Sequence, residues 1–172
     1  MSKIFIVNGV ATSGKTTFET MIQEIAAAHG EKVIILSTID YVKEIAKKIG
    51  WDGTKTPENR RMLSDLKDLL TRWNDSPHQE VHNRIMDTKD AAAIFIDSRE
   101  PEDIKRFVEE YNALTILVQR GKEVVLIGNH ADDNVNDFEY DCYIDNSRGL
   151  SELLEEATIF YETFIKGDNN EI

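Results

Sequence analysis

Cysteine is almost missing from these 172 residues: the lone Cys142 rules out an internal disulfide and leaves no second thiolate to complete a metal site. Long apolar runs are absent too. Nowhere do 18 apolar residues follow one another, and Met1-Ser2-Lys3 leads into a strand without the apolar core of a signal peptide, so a soluble, cytoplasmic protein without a membrane partner is expected. Positive charge is in deficit, with 20 Lys and Arg against 32 Asp and Glu, a net charge of −12. A chain this acidic has no unspecific grip on nucleic acid or an anionic membrane, and it lacks the basic stripes of repair or helicase proteins. Proline occurs only three times, at Pro57, Pro77 and Pro101, each where a helix is expected to begin. The length suits one compact domain, 1–172, as a monomer or homodimer, with a frayed polar end from Gly167 to Ile172.

Against these absences stands one dense motif. Gly9-Val10-Ala11-Thr12-Ser13-Gly14-Lys15-Thr16 spells the P-loop pattern G-x-x-x-x-G-K-[ST] in full, with Thr17 following. A loop that wraps backbone N–H groups around phosphate oxygens needs glycine wherever a Cβ would block the turn or the ligand. Lys15 supplies a point charge for the β- and γ-phosphates, and the Thr16 hydroxyl a ligand for Mg²⁺. The flanks agree. Ile4-Phe5-Ile6-Val7 reads as a buried parallel strand, and Phe18, Met21, Ile22 and Ile25 have helical spacing up to Gly30, the expected C′ residue. Strand, glycine loop and helix N-terminus together make an anion site.

The strand–helix rhythm then repeats. Val33–Leu36, Ala92–Ile96, Leu114–Val118 and Tyr140–Ile144 bring the strands to five, the count of a small doubly wound α/β sheet. Thr56-Pro57 and Ser76-Pro77-His78-Gln79 each read as an N-cap hydroxyl before Pro at N1, the second with a capping-box Gln. Pro101 opens a helix with Ile104, Phe107 and Val108 as its buried stripe. The last helix runs from about Leu150 to Ile165, burying Leu153, Leu154, Ala157, Phe160, Tyr161 and Phe164. Two intervals break the rhythm. Residues 40–90 hold about three helical segments, far more than one crossover needs, and suggest a mobile subdomain for a second substrate. Residues 120–137, rich in Gly, Asn and Asp, read as a lid, with Val124–Ile127 as a short strand within it.

A P-loop, a helical insertion after the second strand and a lid after the fourth resemble the nucleoside monophosphate kinase family. Ser37-Thr38-Ile39-Asp40, Ile96-Asp97-Ser98-Arg99-Glu100 and Val118-Gln119-Arg120 look most like the deoxynucleoside monophosphate kinases of phages and their bacterial relatives, with animal-type phosphomevalonate kinases a more distant echo. The G-x-P-R phrase usual after the third strand is absent, a departure from adenylate kinase. The resemblance implies ATP as donor, Mg²⁺, and a small-molecule acceptor.

Residue by residue, Arg99 lies at the carboxyl edge of the sheet, where ligands of such folds bind, and the resemblance makes it the clamp on the acceptor or transferring phosphate. Arg120 ends the fourth strand at the same edge and suits an arginine that arrives with the lid. Asp97 follows four apolar residues as a Walker-B carboxylate would and could hold a Mg²⁺-bound water; capping the helix at Pro101 is its other reading. Asp40 either orients the acceptor or caps the helix carrying Val42, Ile45, Ala46 and Ile49. Of Arg60 and Arg61, neighbours about 100° apart on their helix, one is expected to face an acceptor; Lys55 and Arg72 are weaker candidates. Trp51 and Trp73 read as core rather than as platforms for a base. His130, Asp132 and Asp133 read as a polar lid, and His78 and His82 as solvated helix residues rather than metal ligands. By the resemblance alone, Asn146, Ser147 and Arg148 after the fifth strand are candidate adenine contacts.

Three activities fit these residues. The first is a phosphotransferase from Mg-ATP to a nucleoside monophosphate. The second is a metabolite kinase of the phosphomevalonate or shikimate kinase kind, which needs a base for a hydroxyl acceptor, with Asp40 as the applicant. The third is an ATP-binding regulator with no acceptor, disfavoured by the insertion and by the lack of an N-K-x-D guanine phrase.

Overall fold

The computed structural model describes residues 2–121, 135 and 138–166. The chain divides into two compact units, Met1–Ile35 with Asp90–Ile172, and Leu36–Lys89. Five strands, β1 Lys3–Asn8, β2 Val33–Ser37, β3 Ala93–Asp97, β4 Leu114–Gln119 and β5 Cys142–Asp145, form one all-parallel sheet in the order β2-β3-β1-β4-β5. Six helices accompany them among the described residues: α1 Lys15–Ala28, α2 Thr38–Lys48, α3 Pro57–Asn74, α4 Ser76–Asp87, α5 Pro101–Tyr111 and α6 Leu150–Phe160. No helix among the described residues is long and apolar enough to cross a membrane.

Alternation along the strands feeds two buried faces, which is why they read as continuous apolar runs. Phe5, Val7, Ala93, Phe95, Ile116 and Val118 join Phe18 and Ile22 of α1 and Leu153, Ala157 and Phe160 of α6 in one core. Its centre is aromatic: Phe160 meets the rings of Phe5 at 5.1 Å and Phe18 at 5.6 Å, both edge-on, and Phe5 stacks on Phe95 at 5.2 Å. The alternate residues Ile6, Ile94, Ile96 and Leu117 are equally buried, and α5, with Ile104 and Phe107 inward, packs against β1 and β4. The register is fixed on both sides of β1: Phe5 pairs with Phe95 of β3 and with Leu114 of β4.

The last helix ends unusually. Beyond Phe160 it widens into a π-turn, Tyr161–Ile165, in which the Lys166 N–H donates to the Tyr161 carbonyl at 2.9 Å. The buried stripe is Leu153, Ala157, Phe160, Tyr161 and Ile165, whereas Leu154, expected inside, is 47% exposed. Leu153, Ala157 and Tyr161 stand at intervals of four and face the sheet together; Leu154, about 100° away, falls off that line.

In the second unit α2 packs on α3 and α4, and α3 on α4. The Thr56 cap is as expected, its hydroxyl accepting from the Asn59 N–H at 3.2 Å with Pro57 behind it. The Ser76 cap is not. Asp75, left-handed at φ 56°, is the N-cap of α4, and its carbonyl accepts from the Gln79 N–H at 3.1 Å. Asn74 Oδ1 accepts from the Ser76 N–H at 3.2 Å, so the turn out of α3 leaves Ser76 inside the next helix and Gln79 outside any capping box. Trp73 is 80% exposed rather than core, because α3 buries no residue fully. Trp51 is half-buried and donates its indole N–H to the Thr54 carbonyl at 3.0 Å. His78 is buried and not solvated as expected; His82 is exposed. Val42 and Ala46 are buried on α2, Ile45 half so, and Ile49 lies exposed beyond its end.

Candidate active site

Parallel strands all end on one side, and four of these ends carry the chemistry of the first unit. Between Asn8 of β1 and Lys15 of α1 the chain makes the glycine loop. The Ser13 N–H closes a turn on the Val10 carbonyl at 3.1 Å, and Thr12 (φ 69°) and Gly14 (φ 96°) are both left-handed. The two motif glycines are required by space. A Cβ on Gly9 would stand 2.6 Å from both Ser13 Oγ and the Val118 carbonyl oxygen; one on Gly14 would stand 2.1 Å from Asn146 Nδ2. The Phe18 N–H, bonded to the Gly14 carbonyl at 2.9 Å, opens the ladder of α1. Before it, the first N–H groups of a helix have no acceptor within it. The α1 cap supplies no side-chain acceptor and its first turn no acid, which leaves the positive end of the helix for an anion. Thr16 and Thr17 are exposed on that turn, Thr12 is exposed before it, and Val10 and Ala11 are half-buried.

Lys15 pairs its ammonium with Asp97 Oδ1 at the end of β3, and both side chains are largely buried. Asp97 is not a helix cap: that place belongs to Glu100. Beside the pair lies Glu19, which the sequence reading passed over. One turn along α1 from Lys15, it is 1% exposed. Burial pushes its carboxyl up to about 9, the negative charge of Asp97 adds to the rise, Lys15 opposes it, and a hydrogen bond to Asp97 favours the protonated form further. At neutral pH the Glu19 carboxyl therefore keeps its proton beside the Lys15–Asp97 pair. The signal was available, since Glu19 interrupts the stripe Phe18, Ile22, Ala26 on the face of α1 that must meet the core.

Arg99 is half-buried in the connection from β3 to α5, and its carbonyl accepts from Asn8 Nδ2 at 3.5 Å. The same Asn8 nitrogen reaches the Tyr140 hydroxyl at 2.8 Å, which donates to the Val135 carbonyl at 3.1 Å; burial pushes the Tyr140 hydroxyl up to about 12. Arg120, just past β4, is exposed. Most of the expected lid, with Val124–Ile127, His130, Asp132 and Asp133, lies outside the described residues. Past β5, Asn146 is buried and its amide donates to the Ser13 carbonyl at 2.9 Å, whereas Arg148 is exposed and pairs with Glu156 at 3.3 Å.

In the second unit Asp40 lies in the first turn of α2 and pairs with Lys43 at 3.1 Å; the cap is Ser37, so the capping reading of Asp40 falls. Arg60 and Arg61 are both exposed on α3, as are Lys55 before it and Arg72 near its end.

The residues fit Mg²⁺. No cluster of three or more His, Cys, Asp or Glu suited to a metal occurs among the described residues, so a cage made by protein alone is not offered. A hydroxyl (Thr16) and a carboxylate (Asp97) are hard oxygen donors of the kind Mg²⁺ takes while water and phosphate complete its octahedron.

No protein-family model matches the chain, and no curated protein matches it by sequence. Solved structures do match in shape. APE1195 has a TM-score of 0.52 at 16% identity, covering 95% of this chain and 96% of its own. The shikimate kinase of Aquifex aeolicus has 0.51 at 11%, covering 92% and 96%. These two share with this chain the α/β fold built on its parallel sheet. The APS kinase CysC of Mycobacterium tuberculosis aligns over 94% of this chain and 98% of its own at 13% identity, with a TM-score of 0.45.

Proposed function

We propose that this chain is a cytoplasmic Mg-ATP-dependent phosphotransferase that moves the γ-phosphoryl group of ATP to a nucleoside monophosphate, a deoxynucleotide above all. The observation that carries the reading is the loop itself: left-handed Thr12 and Gly14, an acid-free helix start and Lys15 next to Asp97. The terminal P–O bond of ATP breaks, its electrons leave on ADP, and an acceptor phosphate oxygen forms the new bond. That oxygen is already anionic, so charge placement does most of the work.

Loop N–H groups and Lys15 hold the donor phosphates, and Arg99 and Arg120 stabilise charge on the transferring group. Thr16 and Asp97 would hold Mg²⁺, which would supply charge neutralisation to the donor phosphates when bound. Recognition of the acceptor is assigned to Asp40, Arg60 and Arg61 with Arg99. Asn146 and Arg148 belong to the donor side. No nucleic-acid or membrane partner is involved, and the protein works as a monomer or homodimer.

One observation favours a second reading, a metabolite kinase with a hydroxyl acceptor. Asp40 is a partly exposed carboxylate held by a single lysine, free in form to act as a base. ADP release from Mg-ATP, measured over a panel of ribo- and deoxynucleoside monophosphates, mevalonate phosphate and shikimate, separates the two. Lys15→Ala is expected to abolish turnover on whichever acceptor works, and full activity in that variant sinks both readings. Asp40→Asn is expected to be mild with a phosphate acceptor and to cost several orders in kcat with a hydroxyl. ATP hydrolysis indifferent to every acceptor would instead mark a regulator.

A further inference from the structure

Resting on the reading of the loop as a phosphate site, we propose that Asn146 is a positioning residue. Its buried amide straps the Ser13–Gly14 peptide to the end of β5, and Gly14 is glycine because that amide fills the space of a Cβ.

Three observations meet at this residue. Its backbone is fixed, since the Asn146 N–H donates to the Gln119 carbonyl at 2.8 Å and extends the β4–β5 ladder beyond Asp145. Its side chain, on a residue 3% exposed, donates to the carbonyl of the equally buried Ser13 at 2.9 Å, joining positions 133 apart in sequence. An ideal Cβ at Gly14 would lie 2.1 Å from the amide nitrogen and 3.1 Å from Cγ.

Only the NH₂ end of an amide can face a carbonyl oxygen, so the orientation follows from the partner. In a trans peptide C=O and N–H point in opposite directions. Holding the Ser13 carbonyl on Asn146 therefore turns the Gly14 N–H away from it, and the left-handed Gly14 is kept from rotating by the amide packed against its Cα. Such a strap acts on whatever phosphate the loop binds, whatever base is attached. It differs from a base contact, which would discriminate between nucleotides and leave a bare polyphosphate unaffected.

The test measures the Kd of tripolyphosphate, Mg-ATP and Mg-GTP for the wild type, Asn146→Ala and the isosteric Asn146→Asp, which sets a carboxylate oxygen against the Ser13 carbonyl. Losing this buried bond is expected to weaken all three probes together by roughly tenfold or more. Loss confined to the nucleotides, or unchanged affinity for tripolyphosphate, overturns the strap. Should Asn146→Ala fail to fold, Asn146→Asp preserves the volume and carries the measurement. A second line uses Gly14→Ala, in which the new Cβ collides with the amide. Once Asn146→Ala has removed the obstacle, the double variant is expected to bind tripolyphosphate at least as tightly as Gly14→Ala alone, and additive losses overturn the idea. A wild type that binds none of the probes defeats the phosphate reading together with the strap, whereas a wild type that binds and variants that match it defeat the strap alone.

Discussion

Replacing Glu19 by Gln is expected to stabilise the protein, by an amount that grows with pH. In the folded chain the carboxyl sits at about 9, against 4.5 for the same group without its surroundings. Below pH 4.5 both states hold the proton and the group contributes no difference. As pH rises past 4.5 the unfolded chain releases its proton while the native one keeps it, so the native state binds more protons and stability falls by about 1.4 kcal/mol per pH unit. The fall ends near pH 9, where the folded carboxyl ionises too. At pH 7 the distance travelled above 4.5 makes the cost about 3 kcal/mol, a large share of the 5–15 kcal/mol that holds a domain together. Glutamine has the same shape, keeps an N–H donor for Asp97 and has no proton to lose. Urea unfolding of both proteins at pH 5, 6, 7 and 8 reads the effect. The variant's advantage is expected to be under about 1 kcal/mol at pH 5 and to widen by about 4 kcal/mol at pH 8, with the m-value unchanged. A gap that stays constant across this range refutes the protonated carboxyl and leaves Glu19 ionised, sharing Lys15 with Asp97.

Two further substitutions probe the same unit. Gly9→Ala places a Cβ 2.6 Å from the Val118 carbonyl oxygen, which is held in the sheet and cannot retreat; thermal melting is expected to report a loss of about 1–3 kcal/mol, and titration with tripolyphosphate a weaker affinity. Phe160→Ala empties the centre of the aromatic core between Phe5 and Phe18 and is expected to cost about 3–5 kcal/mol in urea unfolding, with less than 1 kcal/mol counting against the cluster as the heart of the core.

The strands and the loop were legible because their signals are local. A parallel strand buried on both faces must be apolar over consecutive residues, as Ile4–Val7 and Ala93–Ile96 are, and the glycine motif is contiguous. The Thr56 cap was equally legible, being settled within three residues. Ser76-Pro77 offered the same local pattern and failed. There the decision lay with Asp75, whose left-handed turn out of α3 started the next helix one residue early. Trp73 failed for a broader reason: apolar spacing says which face of α3 its side chain shares, not whether anything covers that face, and α3 buries no residue fully.

The candidate site divides along the same line. Because parallel strands end on one side, the order of elements alone carries Asp97, Arg99, Arg120 and Asn146 to the edge that holds the loop. It does not say which of them turn inward. Asn146 and Arg148 stand two residues apart after β5, yet one is buried against Ser13 and the other is exposed beside Glu156. Asn146 is drawn in by the backbone bond to Gln119, a feature of the β4–β5 register rather than of any residue near it in sequence. Glu19 is the converse case, a residue inside the motif's own helix whose meaning depends on a strand end almost eighty positions away. Gly14 joins the two kinds of information. The motif asks for glycine there because of the turn, and the fold asks for it again because Asn146 occupies the space, so a substitution at Gly14 meets two independent obstacles of which only the first can be read from the loop.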